Sequence, residues 1–110
     1  MAQRDPNEPV YMIGIAAQLT GLHPQTVRLY ERLGLVTPHR VSNKNRLYSE
    51  TDIDRLRQIR RFTQEMGVNL AGVEIILDLL QKMERLQEEL ETARERAAVL
   101  SARRLPAAGQ

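Results

Sequence analysis

The stretch Ile13-Gly-Ile-Ala-Ala-Gln-Leu-Thr-Gly-Leu-His-Pro-Gln-Thr-Val-Arg-Leu-Tyr-Glu-Arg-Leu-Gly-Leu-Val36 decides the fold. Its first half carries Ile13, Ile15, Ala16, Leu19 and Leu22, an apolar stripe on a short helix. Gly21 can take the positive φ that ends such a helix. The second half opens at Pro24, a residue favoured at the first helical position because an N–H there has no partner to lose. Val27, Tyr30 and Leu33 come next at i, i+3 and i+6, and Gly34 closes the segment. Two short helices joined by a glycine-containing turn predict a helix-turn-helix.

Upstream, residues 1–10 (MAQRDPNEPV) hold two prolines and few apolar groups, and they read as a flexible arm. Downstream, His39–Val41 and Arg46–Tyr48 are strand-like and flank Ser42-Asn43-Lys44-Asn45, whose residues suit a turn. A basic β-hairpin is expected there. Ser49-Glu50-Thr51-Asp52 has the form of a capping box, with Ser49 as N-cap. Ile53, Leu56, Ile59, Phe62 and Met66 then carry a third helix, which Gly67 stops. Asn69 caps a fourth helix holding Leu70, Val73, Ile76 and Leu77, so a second helix-turn-helix completes a head spanning residues 11–75. Gly72 inside the fourth helix weakens it by roughly 1 kcal/mol relative to alanine.

The last third holds the strongest periodicity. Ile76, Leu79, Met83, Leu86, Leu90, Ala93, Ala97 and Leu100 are separated by 3, 4, 3, 4, 3, 4 and 3 residues. That is the a/d seam of a heptad repeat, about 37 Å of helix. Charged residues flank it, among them Arg85, Glu88, Glu89, Glu91, Arg94, Glu95 and Arg96. The seam either packs on its own head or pairs with a second copy. The head looks too small to cover such a length, so residues 76–103 are expected to dimerise. Ala93 and Ala97 would let the partner helix approach closely, and residues 104–110 form a flexible tail.

Composition narrows the chemistry. The 110 residues contain no cysteine and two histidines, His23 and His39, which leaves no thiolate site and too few histidines for a catalytic zinc. No Ser-His-Asp pattern, phosphate-binding glycine loop or HExxH is present, so the chain is not expected to be an enzyme. No apolar run approaches the ~18–20 residues of a membrane span, and the polar start is unlike a signal peptide. A cytoplasmic protein without cofactor or metal is expected. The net charge of +2 is unevenly spread: between His23 and Tyr48, Arg28, Arg32, Arg40, Lys44 and Arg46 face only Glu31. A positive field so concentrated suits a polyanion, because each cation set on a phosphate releases counterions. A solvated basic face is the alternative on charge alone.

The stretch from Ile13 to Val36 resembles the start of the MerR family of bacterial transcription regulators. Thr-Pro-His-Arg40, Asn-Arg46-Leu-Tyr48, Asp52-Ile-Asp-Arg-Leu56 and Met-Gly67-Val-Asn-Leu70 continue the family's pattern in order, and the resemblance covers about Tyr11 to Leu100. Leu-His-Pro-Gln-Thr-Val-Arg and Gly-Val-Asn-Leu-Ala-Gly-Val look most like its HspR-like subgroup, which represses heat-shock chaperone operons. The resemblance implies a mainly α fold. It comprises a winged helix-turn-helix head, a second helix-turn-helix, and a long helix forming an antiparallel coiled coil between two protomers. By analogy, Ala17, Gly21, Val27 and Tyr30 hold the first two helices together.

The exposed face of the second helix then carries Gln25, Thr26 and Arg28, side chains suited to base edges in the major groove. Arg40, Asn43, Lys44 and Arg46 of the wing, with Tyr30 and Tyr48, look like backbone contacts that position the head. The expected partners are double-stranded DNA with an inverted repeat, a second copy of the chain, and a DnaK-type chaperone as co-repressor. The last is implied only by the resemblance, as is a place on the bacterial nucleoid. A MerR-type activator is the alternative within the family; a coiled-coil adaptor whose basic head binds protein is the alternative outside it. Two departures from the family pattern stand out. Leu29-Tyr30 replaces a pair of tyrosines, and His23 stands where the family often has a serine N-cap. Metal-sensing relatives carry cysteines after the coiled coil and drug-sensing relatives an effector domain; this chain shows neither, so no direct inducer site is expected.

Overall fold

The computed structural model describes residues 5–41 and 45–104. Asn43 and Lys44, and with them most of the expected hairpin turn, lie outside the described residues. The chain divides into two compact units, residues 1–73 and residues 74–110.

The first unit is built on short helices. Strand β1 (Tyr11–Met12) leads into α1 (Ile13–Thr20), and α2 (Pro24–Arg32) comes after a turn. Gly21 caps α1 at φ 70°, and its N–H bonds back to the Gln18 carbonyl, the left-handed ending that a side chain resists. His23 caps α2: its Nδ1 accepts a 3.0 Å hydrogen bond from the Gln25 N–H, doing the work of a serine hydroxyl with an unprotonated ring nitrogen. Gly34, at φ 76°, turns the chain after α2.

Strands β2 (His39–Arg40) and β3 (Arg46–Tyr48) form the expected hairpin, and β1 pairs with the other side of β3. The sheet is antiparallel in the order β1-β3-β2, with Tyr11 opposite Tyr48 and Arg40 opposite Arg46. Strand β1 adds a third strand to the expected hairpin, one not expected from the sequence. The expected flexible arm is also pinned in part. Val10 N–H donates to the Tyr48 carbonyl, and Thr51 donates both its N–H and its hydroxyl to the Pro6 carbonyl.

Helix α3 (Glu50–Arg60) begins with the capping box expected from sequence. Ser49 Oγ accepts from the Asp52 N–H at 3.1 Å, and Asp52 Oδ2 accepts from the Ser49 N–H at 2.9 Å. Ile53, Leu56 and Ile59 are fully buried, but the stripe does not continue as predicted. A π-helical turn over Arg61–Glu65 adds a residue to the winding, with the Met66 N–H donating to the Arg61 carbonyl. The extra residue rotates the chain beyond it by about a quarter turn. Phe62 is therefore half-buried and Met66 points outward.

Helix α4 (Leu70–Arg104) starts on an Asn69 cap, whose Oδ1 accepts from the Gly72 N–H at 2.8 Å. The glycine has a packing reason. A Cβ at residue 72 would lie 2.9 Å from Val68 Cγ1 and 3.3 Å from the capping oxygen.

The head's core is Ala16, Ala17, Leu22, Val27, Tyr30, Leu35, Val36, Tyr48, Ile53, Leu56, Ile59 and Val73. The expected α1 stripe holds in part: Ala16 and Leu22 are buried and Ile13 is half-buried, but Ile15 and Leu19 are exposed and Thr20 is buried in their stead. Thr20 tolerates burial because its hydroxyl donates to the Ala16 carbonyl at 2.8 Å. Leu33, expected to continue the α2 stripe, is exposed at the helix end. In the second unit, every residue of α4 from Asp78 to Arg104 is exposed, including all of the expected seam beyond the half-buried Ile76.

Candidate nucleic-acid interface

Helix α2 has two faces because its buried residues, Val27 and Tyr30, lie one turn apart. The opposite stripe carries Gln25, Arg28 and Arg32 at i, i+3 and i+7, with Leu29 beside them. Gln25 and Arg32 are exposed and Arg28 is half-buried, so three polar side chains share one edge of the helix, away from the core. Arg32 was counted in the basic cluster but not among the base- or backbone-contact candidates, although its spacing from Arg28 placed it on this stripe. Thr26 is half-buried and lies toward the core side of the helix, about 100° from Val27, so it stands apart from the other two base-contact candidates.

The wing approaches this helix. Arg28 of α2 and Arg46 of β3 line one small cleft together with Met12, Ile13 and Asn45. Arg40, opposite Arg46 in the sheet, is exposed. Arg46 is not a free cation: its Nε lies 2.6 Å from Glu31 Oε1, a charge contact set off the N–H direction.

Two tyrosines expected to touch the DNA backbone are in the core. Tyr30 is buried, and Tyr48 has no exposed surface at all. The physical reason is the two-residue period of a strand: Tyr48 and Arg46 project from the same face of β3, the face that the helices cover. Burial, followed by the charge of Glu31, pushes the Tyr48 hydroxyl up to about 12. That hydroxyl has no hydrogen-bond partner among the described residues.

Behind the interface, arginines of α3 hold the head together. Arg57 Nη2 donates to the Leu19 carbonyl at 3.2 Å, and Arg55 Nε donates to the Leu35 carbonyl. The Arg60 guanidinium covers Gly21, 3.3 Å from where a Cβ would stand. Cations placed against the last carbonyls of α1 complement that helix end. Tyr11 Oη donates to the Glu50 carboxylate, tying β1 to the start of α3.

Among the described residues, no group of three or more His, Cys, Asp or Glu side chains converges as a metal site would require. No helix among them is long and apolar enough to cross a membrane. The exposed Gln25, Arg32 and Arg40 and the half-buried Arg28 make a basic edge from one helix and the wing, an arrangement of charge suited to a polyanion.

Comparison with known proteins identifies that head. Residues 11–80 match the MerR HTH family of regulatory proteins. A proposed heat shock protein HspR of Streptomyces coelicolor is 52% identical over 79 residues, covering 72% of this chain and 52% of that protein. The HTH-type transcriptional regulator GlnR of Bacillus anthracis is 38% identical over 69 residues, 63% of this chain and 53% of its own length. The chain thus spans about half the length of these curated relatives. Among solved structures, a transcription regulator of Ralstonia metallidurans in complex with lead(II) is similar with a TM-score of 0.61. It shares 28% identity, and the match covers 87% of this chain and 80% of that one. The chain belongs to the MerR family of helix-turn-helix regulatory proteins.

Proposed function

We propose that the chain is a homodimeric repressor of heat-shock chaperone genes that reads an inverted repeat with one head on each half-site. The observation that carries the reading is the 52% identity to the Streptomyces HspR, well above the 38% to GlnR. Dimerisation is supported by the exposed heptad seam Leu79, Met83, Leu86, Leu90, Ala93, Ala97 and Leu100, with Ile76 at its start. A row of leucines left in water is unfavourable, and a second seam of the same spacing removes it.

Gln25 and Arg28 are the base-reading residues: a Gln amide pairs with adenine and an Arg guanidinium with guanine. Thr26 supports them from the core side, and Arg32 and Arg40 reach phosphates. Because a paired helix fixes the head separation, half-sites should be spaced rigidly, near one or two helical turns. Bending the intervening DNA costs roughly 1–6 kcal/mol, which the contacts of the second head offset. A DnaK-type chaperone acts as co-repressor in this reading, by resemblance to the HspR-like subgroup.

Capture of genomic DNA by the purified full chain, with and without the host's DnaK-type chaperone, tests each part. Enrichment of an inverted repeat upstream of chaperone genes, tightened by the chaperone, is the expected result. A different repeat discards the heat-shock assignment, and no enrichment discards the DNA reading. Transcription from the captured promoter should fall when the protein is added; a rise makes it an activator.

A further inference from the structure

We infer that Glu31 and Arg46 form a positioning clamp that fixes the wing against the recognition helix α2, and that Arg46 therefore does not bind phosphate. Glu31 is the one acidic residue between His23 and Tyr48, set among five cations. Its carboxylate is largely withdrawn from water, with 13% of the side chain exposed, and Arg46 Nε stands 2.6 Å from it. A carboxylate so placed needs a cation, because burying a charge without a partner is costly. Were Arg46 to swing out to a phosphate, the largely buried Glu31 carboxylate would lose the cation that pairs with it.

The sheet register adds a second reason. Arg40 sits directly opposite Arg46, and opposed residues of antiparallel strands share a face. Two like charges there repel unless an anion on the facing helix α2 neutralises one of them. Glu31 supplies it. One arginine of the pair is neutralised and held, and the exposed Arg40 is left as the cation of this strand pair for DNA. Net charge and clamp make opposite predictions: removing Glu31 adds positive charge, which by itself tightens DNA binding, yet it releases the wing, which weakens binding.

The inference rests on the DNA-binding reading, and the experiment separates the two. The probe is the duplex that the wild-type full chain enriches from a random library, with affinity measured across a salt series. Glu31→Gln should bind at least about threefold more weakly at every salt concentration, the range expected for directly coupled side chains. Arg46→Gln should weaken binding similarly with the salt slope unchanged, whereas Arg40→Gln should lower the slope by about one per head. The swapped pair Glu31→Arg with Arg46→Glu should return affinity to within about twofold of wild type, as coupled partners do. If Glu31→Gln unfolds by circular dichroism, the Arg46→Gln slope and the swap decide. Tighter binding by Glu31→Gln, or a shallower slope for Arg46→Gln, would make Arg46 a phosphate ligand that Glu31 masks and overturn the clamp. A swap as weak as the single variants overturns it too. Failure of the wild-type chain to enrich any duplex overturns the DNA reading itself.

Discussion

The head and the long helix use the same apolar residues in opposite ways. In the head, Ile53, Leu56 and Ile59 recur on one face of α3 and are sealed from water within a single chain. In α4, Leu79, Met83, Leu86 and Leu90 recur at similar spacing and remain exposed. A helix face is therefore not assigned to a core by its pattern alone. What decides is whether the same chain supplies a second surface of matching shape. Residues 1–73 do so with three helices and a sheet; for α4, the proposed dimer supplies it from a second copy.

Breaking the seam gives the largest effect. Leu86→Asp combined with Leu90→Asp should leave a monomer in sedimentation, because four leucines of the pair, each worth about 1.5–3 kcal/mol when buried, are replaced by carboxylates. The head should keep its own melting transition, since neither residue belongs to its core. A dimer that survives contradicts the seam. Leu56→Ala is the counterpart in the head. It should lower stability by about 2–5 kcal/mol through the cavity it leaves. Its effect should not depend on protein concentration, whereas that of Leu90→Ala should fade when the protein is diluted to monomer.

The sequence made the local part of this architecture legible. The capping box at Ser49 and Asp52, the Asn69 cap and the glycine endings at Gly21 and Gly34 involve neighbours a few residues apart, so spacing suffices to find them. The features that stayed hidden depend on partners distant in the chain. Strand β1 is two residues long and exists because Tyr11 meets Tyr48. On α1, the stripe named Ala16 correctly but also Ile15 and Leu19, whereas close packing left those two exposed and buried Thr20. The π-helical turn that exposes Met66 has a local trace, the Thr63 hydroxyl donating to the Ile59 carbonyl at 3.0 Å, but threonine makes that bond in ordinary helices too. The basic edge of the candidate site could be read from charge spacing, and the cap at His23 emerged where the family often has serine. The pairing of the half-buried Arg46 with Glu31 could not be read, because a three-residue strand does not declare which face is covered.

Arg28 and Arg40 sharpen the comparison within the head, between a helix proposed to read bases and a wing proposed to position it. Arg28→Ala should cost about 1–3 kcal/mol and relax preference at one base position of the half-site. Unchanged affinity across a panel of duplex variants removes Arg28 from the base-reading set. Arg40→Gln, by contrast, should weaken all sequences alike.

Tyr48 carries the smallest effect and the sharpest distinction between surface and core. Were it a backbone contact, loss of its hydroxyl would weaken DNA binding. Because the residue is sealed and its hydroxyl lacks a partner among the described residues, Tyr48→Phe should leave affinity unchanged and stability equal or raised by up to about 1 kcal/mol. The alkaline limb supplies a second readout. The folded pKa of about 12 lies above the ordinary value of 10.0, so between these values the unfolded chain has lost its proton while the native chain retains it. Unfolding then releases a proton, and stability falls as pH rises through that window. Wild-type protein should therefore lose stability from pH 10 to 12 more steeply than Tyr48→Phe, whereas the two should run parallel below pH 10, where the phenol is protonated in both states. Parallel curves throughout would place the hydroxyl in water, and with it Tyr48 back among the residues available to DNA.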